Sequence, residues 1–213
     1  SAQLHEKHAG ILAYAKALLY WQYRNAYCGT CGAPNRIASG GHRLICSGPD
    51  CGRESFPRID PAIIVLVTQG DACLLGHNAR WPERRFSTLA GYVEPGESLE
   101  DAVTREVFEE ASVELSAIRY VSSQPWPFPA SAMCGFYAEA AARDCAPSEE
   151  MTELRWFDPP ALARAIERDE IRVPPPVSIA FRLIADWYRR ACGEALEDRV
   201  PGTASWAPRE RLE

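Results

Sequence analysis

Three glutamates, Glu106, Glu109 and Glu110, are the residues best suited to metal chemistry. They fall in a segment, residues 99–111, whose apolar positions recur at helical spacing. At about 100° per residue, Glu106 and Glu110 lie within the apolar stripe of that helix. Carboxylates on such a face destabilise a fold unless a cation neutralises them, and Mg²⁺ prefers oxygen ligands and keeps waters for a phosphate substrate. The alternative is a surface acidic helix neutralised by Arg105.

Four cysteines form a second chemical group, with two residues between Cys28 and Cys31 and four between Cys46 and Cys51. Residues 28–51 are rich in glycine and poor in apolar side chains, so the segment cannot build a core and needs a cross-link. Two cysteine pairs suit a tetrahedral thiolate site, which predicts a structural zinc ion. The other cysteines have no obvious histidine partner in sequence and are interpreted as small buried apolar residues. They are Cys73, Cys134, Cys145 and Cys192.

A third group is the proline-rich segment 123–131, Ser-Gln-Pro-Trp-Pro-Phe-Pro-Ala-Ser. Its prolines make a stiff extended loop, and Trp126 and Phe128 offer flat surfaces on which a base could stack. By itself, the segment fits a rigid loop with core aromatic rings better than a binding site.

The elements that must position these groups alternate between strand and helix patterns. An amphipathic helix over residues 9–23 precedes the cysteines, and a capping box at Ser98 begins the acidic helix. The predicted strands are 62–68, 72–75, 88–93, 118–122, 132–141 and 154–157, and the later helices are 99–111, 160–168 and 177–196. This mixture predicts an α/β fold, in which a mixed sheet is sandwiched between helices. A small zinc ribbon precedes that sandwich.

The composition of the chain excludes some classes of protein. With 213 residues and 46% apolar content, the chain can build one good core and a small second module. The net charge of −6 argues against a dedicated nucleic-acid scaffold. No apolar run approaches the roughly 18 residues that cross a membrane. The cysteine pattern favours a reducing compartment, and hence a cytoplasmic protein.

The acidic segment resembles the Nudix box, a loop, helix and loop that present glutamates to metal ions beside a diphosphate. The matching run is Gly91-x5-Glu97-x7-Arg105-Glu106-Val107-x-Glu109-Glu110-x-Ser112-Val113. Family members carry glycine at the position of Ser112, where it eases a left-handed helix end. The resemblance implies Mg²⁺ or Mn²⁺ as the catalytic cation. The implied ligands are Glu106, Glu109, Glu110 and the carbonyl oxygen of Ala90, with Arg105 and Glu97 orienting the others.

Segment 123–131 is similar to the signature of NADH pyrophosphatases within that family, and the resemblance extends through the cysteine ribbon and most of the chain. It implies cleavage of NADH or NAD to nicotinamide mononucleotide and AMP and, in some members, removal of NAD caps from RNA. Glu150 is implied as a further metal ligand, although Glu149 and Glu153 are close by in sequence.

The same resemblance implies how the base is bound. Tyr92 and Phe56 would sandwich it, and Gln124 and Ala180 would line its pocket. Phe56 would come from the partner subunit, which implies a homodimer. Members usually carry a further domain ahead of the ribbon, whereas 27 residues precede Cys28 here, so a trimmed or short form is expected.

The predicted organisation has four parts: a helix and linker at 1–27, the zinc ribbon at 28–56, the Nudix domain at 57–196 and an extension at 197–213. The favoured reaction is attack of an activated water on the diphosphate of NAD(H). A relaxed hydrolase of ADP-ribose or FAD is a second hypothesis, against which the proline-aromatic loop argues. A non-catalytic, RNA-binding zinc-ribbon protein is a third, against which the three intact glutamates argue.

Overall fold

The computed structural model of the protein describes residues 6–200, which form two compact units. The first unit comprises residues 6–60 and 125–132, and the second comprises residues 61–124 and 133–200. Residues 125–131 of the proline-rich segment therefore belong to the same unit as the cysteines. No helix within the described range is long and apolar enough to span a membrane.

The first unit begins with helix α1, Glu6–Arg24, and continues into a three-stranded antiparallel sheet. Its strands are β1 Asn35–Ala38, β2 Arg43–Cys46 and β3 Glu54–Ser55. The predicted helix is confirmed, but most of its apolar stripe is not buried within the chain: Ile11, Leu12 and Leu19 are all exposed. The three short strands were not predicted, because they lack the apolar alternation that identifies longer strands.

The main sheet has six strands in the order β7-β8-β4-β5-β9, with β6 paired to β4. The strands are β4 Asp60–Gln69, β5 Ala72–Asn78, β6 Leu89–Tyr92, β7 Leu115–Trp126, β8 Ser131–Ala140 and β9 Met151–Phe157. Strands β4 and β5 form the predicted hairpin. Gly70 makes its turn with a φ of +58°, a conformation that glycine adopts without strain.

Helices lie on both faces of this sheet: α2 Leu99–Ala111, α3 Pro159–Glu167 and α4 Ile179–Cys192. Successive side chains of β4 alternate between two cores, as a strand buried on both faces requires. Val65 and Val67 pack in the core that includes α2, whereas Ile64 and Leu66 pack in the core that includes α3 and α4. The predicted α/β sandwich is thereby confirmed.

Helix α4 is shorter than the predicted 177–196, because both of its ends are capped inside that range. Ser178 accepts a hydrogen bond from the amide of Phe181 and starts the helix. Gly193 adopts a left-handed conformation and ends it.

Candidate active site

Helix α2 has a defined cap at each end, and its bounds match the prediction. Ser98 Oγ accepts a hydrogen bond from the Asp101 amide at 3.1 Å. Ser112 adopts a left-handed conformation, with φ 56° and ψ 31°, and its amide donates to the Phe108 carbonyl. Serine thus fills the position where the resemblance predicted glycine, and it takes the conformation that glycine would take.

Glu106 lies against the backbone of Gly91 in β6. A Cβ atom added to Gly91 would stand 1.8 Å from the carboxyl carbon of Glu106, far inside any real contact distance. Glycine at this position therefore lets the strand and the helix approach closely enough for the carboxylate to fit between them.

Arg105 uses all five of its N–H groups to hold the acidic cluster together. Two of them donate to Glu97 at 2.8 and 2.9 Å, and one donates to the carbonyl of Tyr92 at 2.9 Å. The remaining two donate to Glu106 and Glu109 at 2.9 and 3.0 Å. The bonds from Arg105 lower the pKa of Glu97 to about 2. Arg105 and Glu97 are therefore placed to orient the other carboxylates.

Glu110 is the most buried of the three glutamates, at 9% exposure. Its Oε2 atom accepts the amide of Ala90 at 3.3 Å, so the Ala90 backbone lies beside the carboxylate. Burial, together with the charge of Glu106, raises the pKa of Glu110 to about 8. Burial also raises the pKa of Glu106. A divalent cation would relieve both groups by favouring their charged forms, so this donor set fits a metal site.

The glutamates open onto a cleft of about 390 Å³. Its lining residues are Glu106, Glu109, Glu110, Ser148, Glu149 and Glu150. Glu150 contacts Arg80, whereas Glu153 pairs with Arg155 on β9. Glu149 and Glu150 line the cleft, whereas Glu153 is not among its lining residues.

The residues expected to bind the base lie in different parts of the fold. The side-chain amide of Gln124 bridges the Val177 carbonyl and the Ile179 amide, both at 2.8 Å, which fixes it beside the start of α4 and the buried Ala180. The exposed ring of Tyr92 ends strand β6 in the same unit. Phe56, also exposed, follows β3 in the first unit.

The sulfur atoms of Cys28, Cys31, Cys46 and Cys51 all lie within 4.8 Å of one another. In the described part of the chain, no other group of three or more such ligands is gathered so closely. A tetrahedral zinc ion with Zn–S bonds of about 2.3 Å separates its sulfur ligands by roughly 3.8 Å. The pKa of the Cys28 thiol is lowered to about 6, chiefly by the amide of Thr30 at 3.4 Å. Against the bond from the Gly48 amide, burial and the neighbouring thiols raise the pKa of Cys46 to about 12. The four thiols therefore fit zinc.

Comparison with known proteins identifies both parts of the chain. Residues 58–175, more than half of the chain, match the NUDIX domain model. The chain belongs to the Nudix family. Residues 24–56 match the NADH pyrophosphatase zinc ribbon domain, so the cysteine module ahead of the Nudix domain is a zinc ribbon.

Curated relatives match most of this chain. The NAD-capped RNA hydrolase NudC of Stutzerimonas stutzeri is 45% identical over 196 residues, which cover 90% of this chain and 66% of the relative. The NAD-capped RNA hydrolase NUDT12 of Homo sapiens is 39% identical over 199 residues, which cover 88% of this chain and 43% of the relative. The chain spans less than two thirds of the length of either relative.

A solved structure supports the fold. The crystal structure of a NUDIX hydrolase from Nitrosomonas europaea matches with a TM-score of 0.60 and 25% identity. The match covers 79% of this chain and 94% of that one.

The sequence did not single out Arg80, which the Nudix domain places beside Glu150. No motif spacing marks this arginine, because its place depends on the pairing of β5 with β9, whose register reaches Asn78 and Met151. A strand prediction that carried β5 through Asn78 would have placed Arg80 just beyond the end of the strand.

Proposed function

We propose that this protein hydrolyses the diphosphate bond of NADH or NAD, releasing nicotinamide mononucleotide and AMP. The cleft lined by Glu106, Glu109, Glu110 and Glu150 carries the proposal, because clustered carboxylates in a Nudix domain supply the oxygen ligands that a diphosphate-bound cation requires. The match to the NADH pyrophosphatase zinc ribbon domain and the names of the relatives favour a NAD-type substrate.

The catalytic cation is proposed to be Mg²⁺ or Mn²⁺, held by Glu106, Glu109, Glu110, the Ala90 carbonyl and Glu150. Such an ion, when bound there, would neutralise the diphosphate and lower the pKa of an attacking water. Arg105 and Glu97 keep the carboxylates in place, and one of the helix glutamates takes the proton of the water. The water oxygen bonds to phosphorus as the bridging P–O bond breaks.

NAD-capped RNA is the second proposed substrate, because two of the relatives carry the name of that activity. The reacting diphosphate is the same in a free dinucleotide and in a cap. The base of the dinucleotide is proposed to bind to Tyr92, Gln124 and Ala180, together with Phe56 of a partner subunit.

The protein is further proposed to be a homodimer and to act in the reducing cytoplasm. Its zinc ion is proposed to be held by the four ribbon cysteines. None of the eight cysteines, all within the described range, forms a disulfide bond, which agrees with a reducing compartment. The exposed apolar side chains of α1 offer a surface for self-association. The chain is proposed to divide into an N-terminal helix and linker, a zinc ribbon, a Nudix domain and a C-terminal extension, at residues 1–27, 28–56, 57–196 and 197–213.

The test compares wild-type protein with Glu110→Gln in Mg²⁺ and in Mn²⁺. We expect nicotinamide mononucleotide and AMP from NADH, and a loss of at least about 100-fold in kcat/KM for the variant, since an anionic metal ligand is removed. Glu100→Gln, on the exposed face of the same helix, is the matched control and should keep its activity.

Substrate choice is measured in parallel, as kcat/KM for NADH, NAD, ADP-ribose and an NAD-capped RNA. A clear preference for ADP-ribose would contradict the proposed substrate. Full activity in Glu110→Gln would contradict the proposed metal site.

A further inference from the structure

The backbone around Arg80 is fixed at the rim of the glutamate cleft. The amide of Ala79 donates to the carbonyl of Glu150 at 2.9 Å. The amide of Arg80 donates to Oδ1 of Asn78 at 3.0 Å. The amide of Trp81 donates to the carbonyl of Asn78 at 2.9 Å. The main chain that carries Arg80 is therefore bonded to the main chain that carries Glu150.

The guanidinium of Arg80 is held much less firmly than its backbone. Its side chain is 83% exposed, and its Nη2 atom lies 3.7 Å from Oε1 of Glu150. That distance is longer than a hydrogen bond, so the pair is a loose ionic contact. A small rotation of the side chain can redirect this charge without breaking a strong bond.

Arg105, which is bonded to Glu106 and Glu109, is held much more firmly than Arg80. All five of its N–H groups are already bonded, so it cannot bind a phosphate without releasing a glutamate or the Tyr92 carbonyl. Arg105 therefore positions the carboxylates, whereas Arg80 still has donors to offer.

We propose that Arg80 binds a phosphate of the diphosphate substrate. When Glu150 turns to the metal, the Arg80 guanidinium exchanges its loose contact with that carboxylate for the phosphate oxygens, which match its planar fork. This inference rests on the proposed function for the identity of the diphosphate. It places a protein cation next to Glu150, at a cleft whose charged lining residues are all glutamates.

The experiment compares Arg80→Gln and Arg80→Lys with wild type, and uses Arg168→Gln as the matched control. Arg168 is likewise 70% exposed and 3.8 Å from a carboxylate, that of Glu170. Calorimetry measures the binding of inorganic pyrophosphate in Mg²⁺, and steady-state kinetics measure kcat and KM for NADH.

We expect Arg80→Gln to weaken pyrophosphate binding and to raise KM about tenfold, the size of one charge-assisted contact at an exposed site, with kcat changed little. Arg80→Lys should recover part of the loss, because lysine keeps the charge but not the fork. Arg168→Gln should match wild type in both measurements.

Unchanged pyrophosphate affinity in Arg80→Gln would overturn the proposal, as would a wild-type protein that does not bind pyrophosphate. Tighter Mg²⁺ binding with unchanged pyrophosphate affinity would identify Arg80 as a mere counter-ion of Glu150. If wild type cleaves no dinucleotide but Arg80→Gln still weakens pyrophosphate binding, the proposed function fails and the role of Arg80 stands.

Discussion

Ser112 shows how a single residue can depart from a motif without altering the site. It holds the left-handed conformation that ends α2, with φ 56°, although it has a Cβ atom. That conformation is less favourable for serine than for glycine, because the Cβ atom approaches the following carbonyl oxygen. The helix therefore ends where the motif requires, at a small cost in stability.

Replacing Ser112 with glycine should stabilise the protein by about 0.5–1 kcal/mol, because it removes this steric cost. Urea unfolding measures the change, and kcat should stay within about twofold of wild type, since no site carboxylate moves. Ser112→Ala keeps the Cβ atom and is the control, for which no such gain is expected. A glycine variant less stable than wild type would show that Ser112 contributes a contact that outweighs the strain.

At the scale of the element, α2 was largely predictable. Its bounds follow from Ser98, the apolar spacing and the motif, and the inward position of Glu110 follows from counting residues around the helix. The contacts of Arg105 with Glu97 and Tyr92 could not be derived in the same way. They join the helix to the loop and strand that precede it, and helical periodicity contains no information about such contacts.

The buried carboxylate of Glu110 in α2 predicts an unusual pH dependence of stability for protein that retains zinc but lacks Mg²⁺. Burial and the neighbouring charges of Glu106, Glu150 and Glu109 raise the pKa of Glu110 from 4.5 to about 8, against the opposing bond from the Ala90 amide. Between these values the folded chain keeps a proton that the unfolded chain has lost. The contribution of Glu110 to stability should therefore be greatest below about pH 4.5 and fall as pH rises towards 8, by roughly 2–4 kcal/mol.

Urea unfolding at a series of pH values, with and without Mg²⁺, measures this effect. Mg²⁺ should reduce the loss, because a bound cation favours the charged carboxylate. Glu110→Gln cannot ionise at this position and should lose most of the pH dependence between 5 and 8. Equal slopes for this variant and wild type would show that other groups control the stability.

At the scale of the whole molecule, the two units differ in how far the sequence determined them. The Nudix sheet and helices were predicted because long apolar strands and amphipathic helices have a clear period. The ribbon strands were not, since four thiol ligands replace a hydrophobic core there. Helix α1 was predicted, but its exposed side chains Ile11, Leu12 and Leu19 show that sequence periodicity alone does not say what covers a helix.

We expect those side chains to be buried between two copies of the chain. They are 65%, 55% and 63% exposed, and grouped apolar side chains on one helix are typical of an interaction surface. Light scattering of wild-type protein should give the mass of a dimer. The double variant Leu12→Glu, Leu19→Glu should give a monomer at the same concentration, because dimer formation would bury two charges per chain.

Phe108→Glu is the control for the added charge, because Phe108 is equally exposed but lies on α2. It should remain dimeric. Circular dichroism separates loss of association from loss of α1, since glutamate is compatible with a helix and should leave the helical signal unchanged. A double variant that stays dimeric with an intact helix would place the interface elsewhere. If the monomer also loses NADH hydrolysis while its metal binding is unchanged, the substrate pocket needs the partner subunit, as the expected contribution of Phe56 requires.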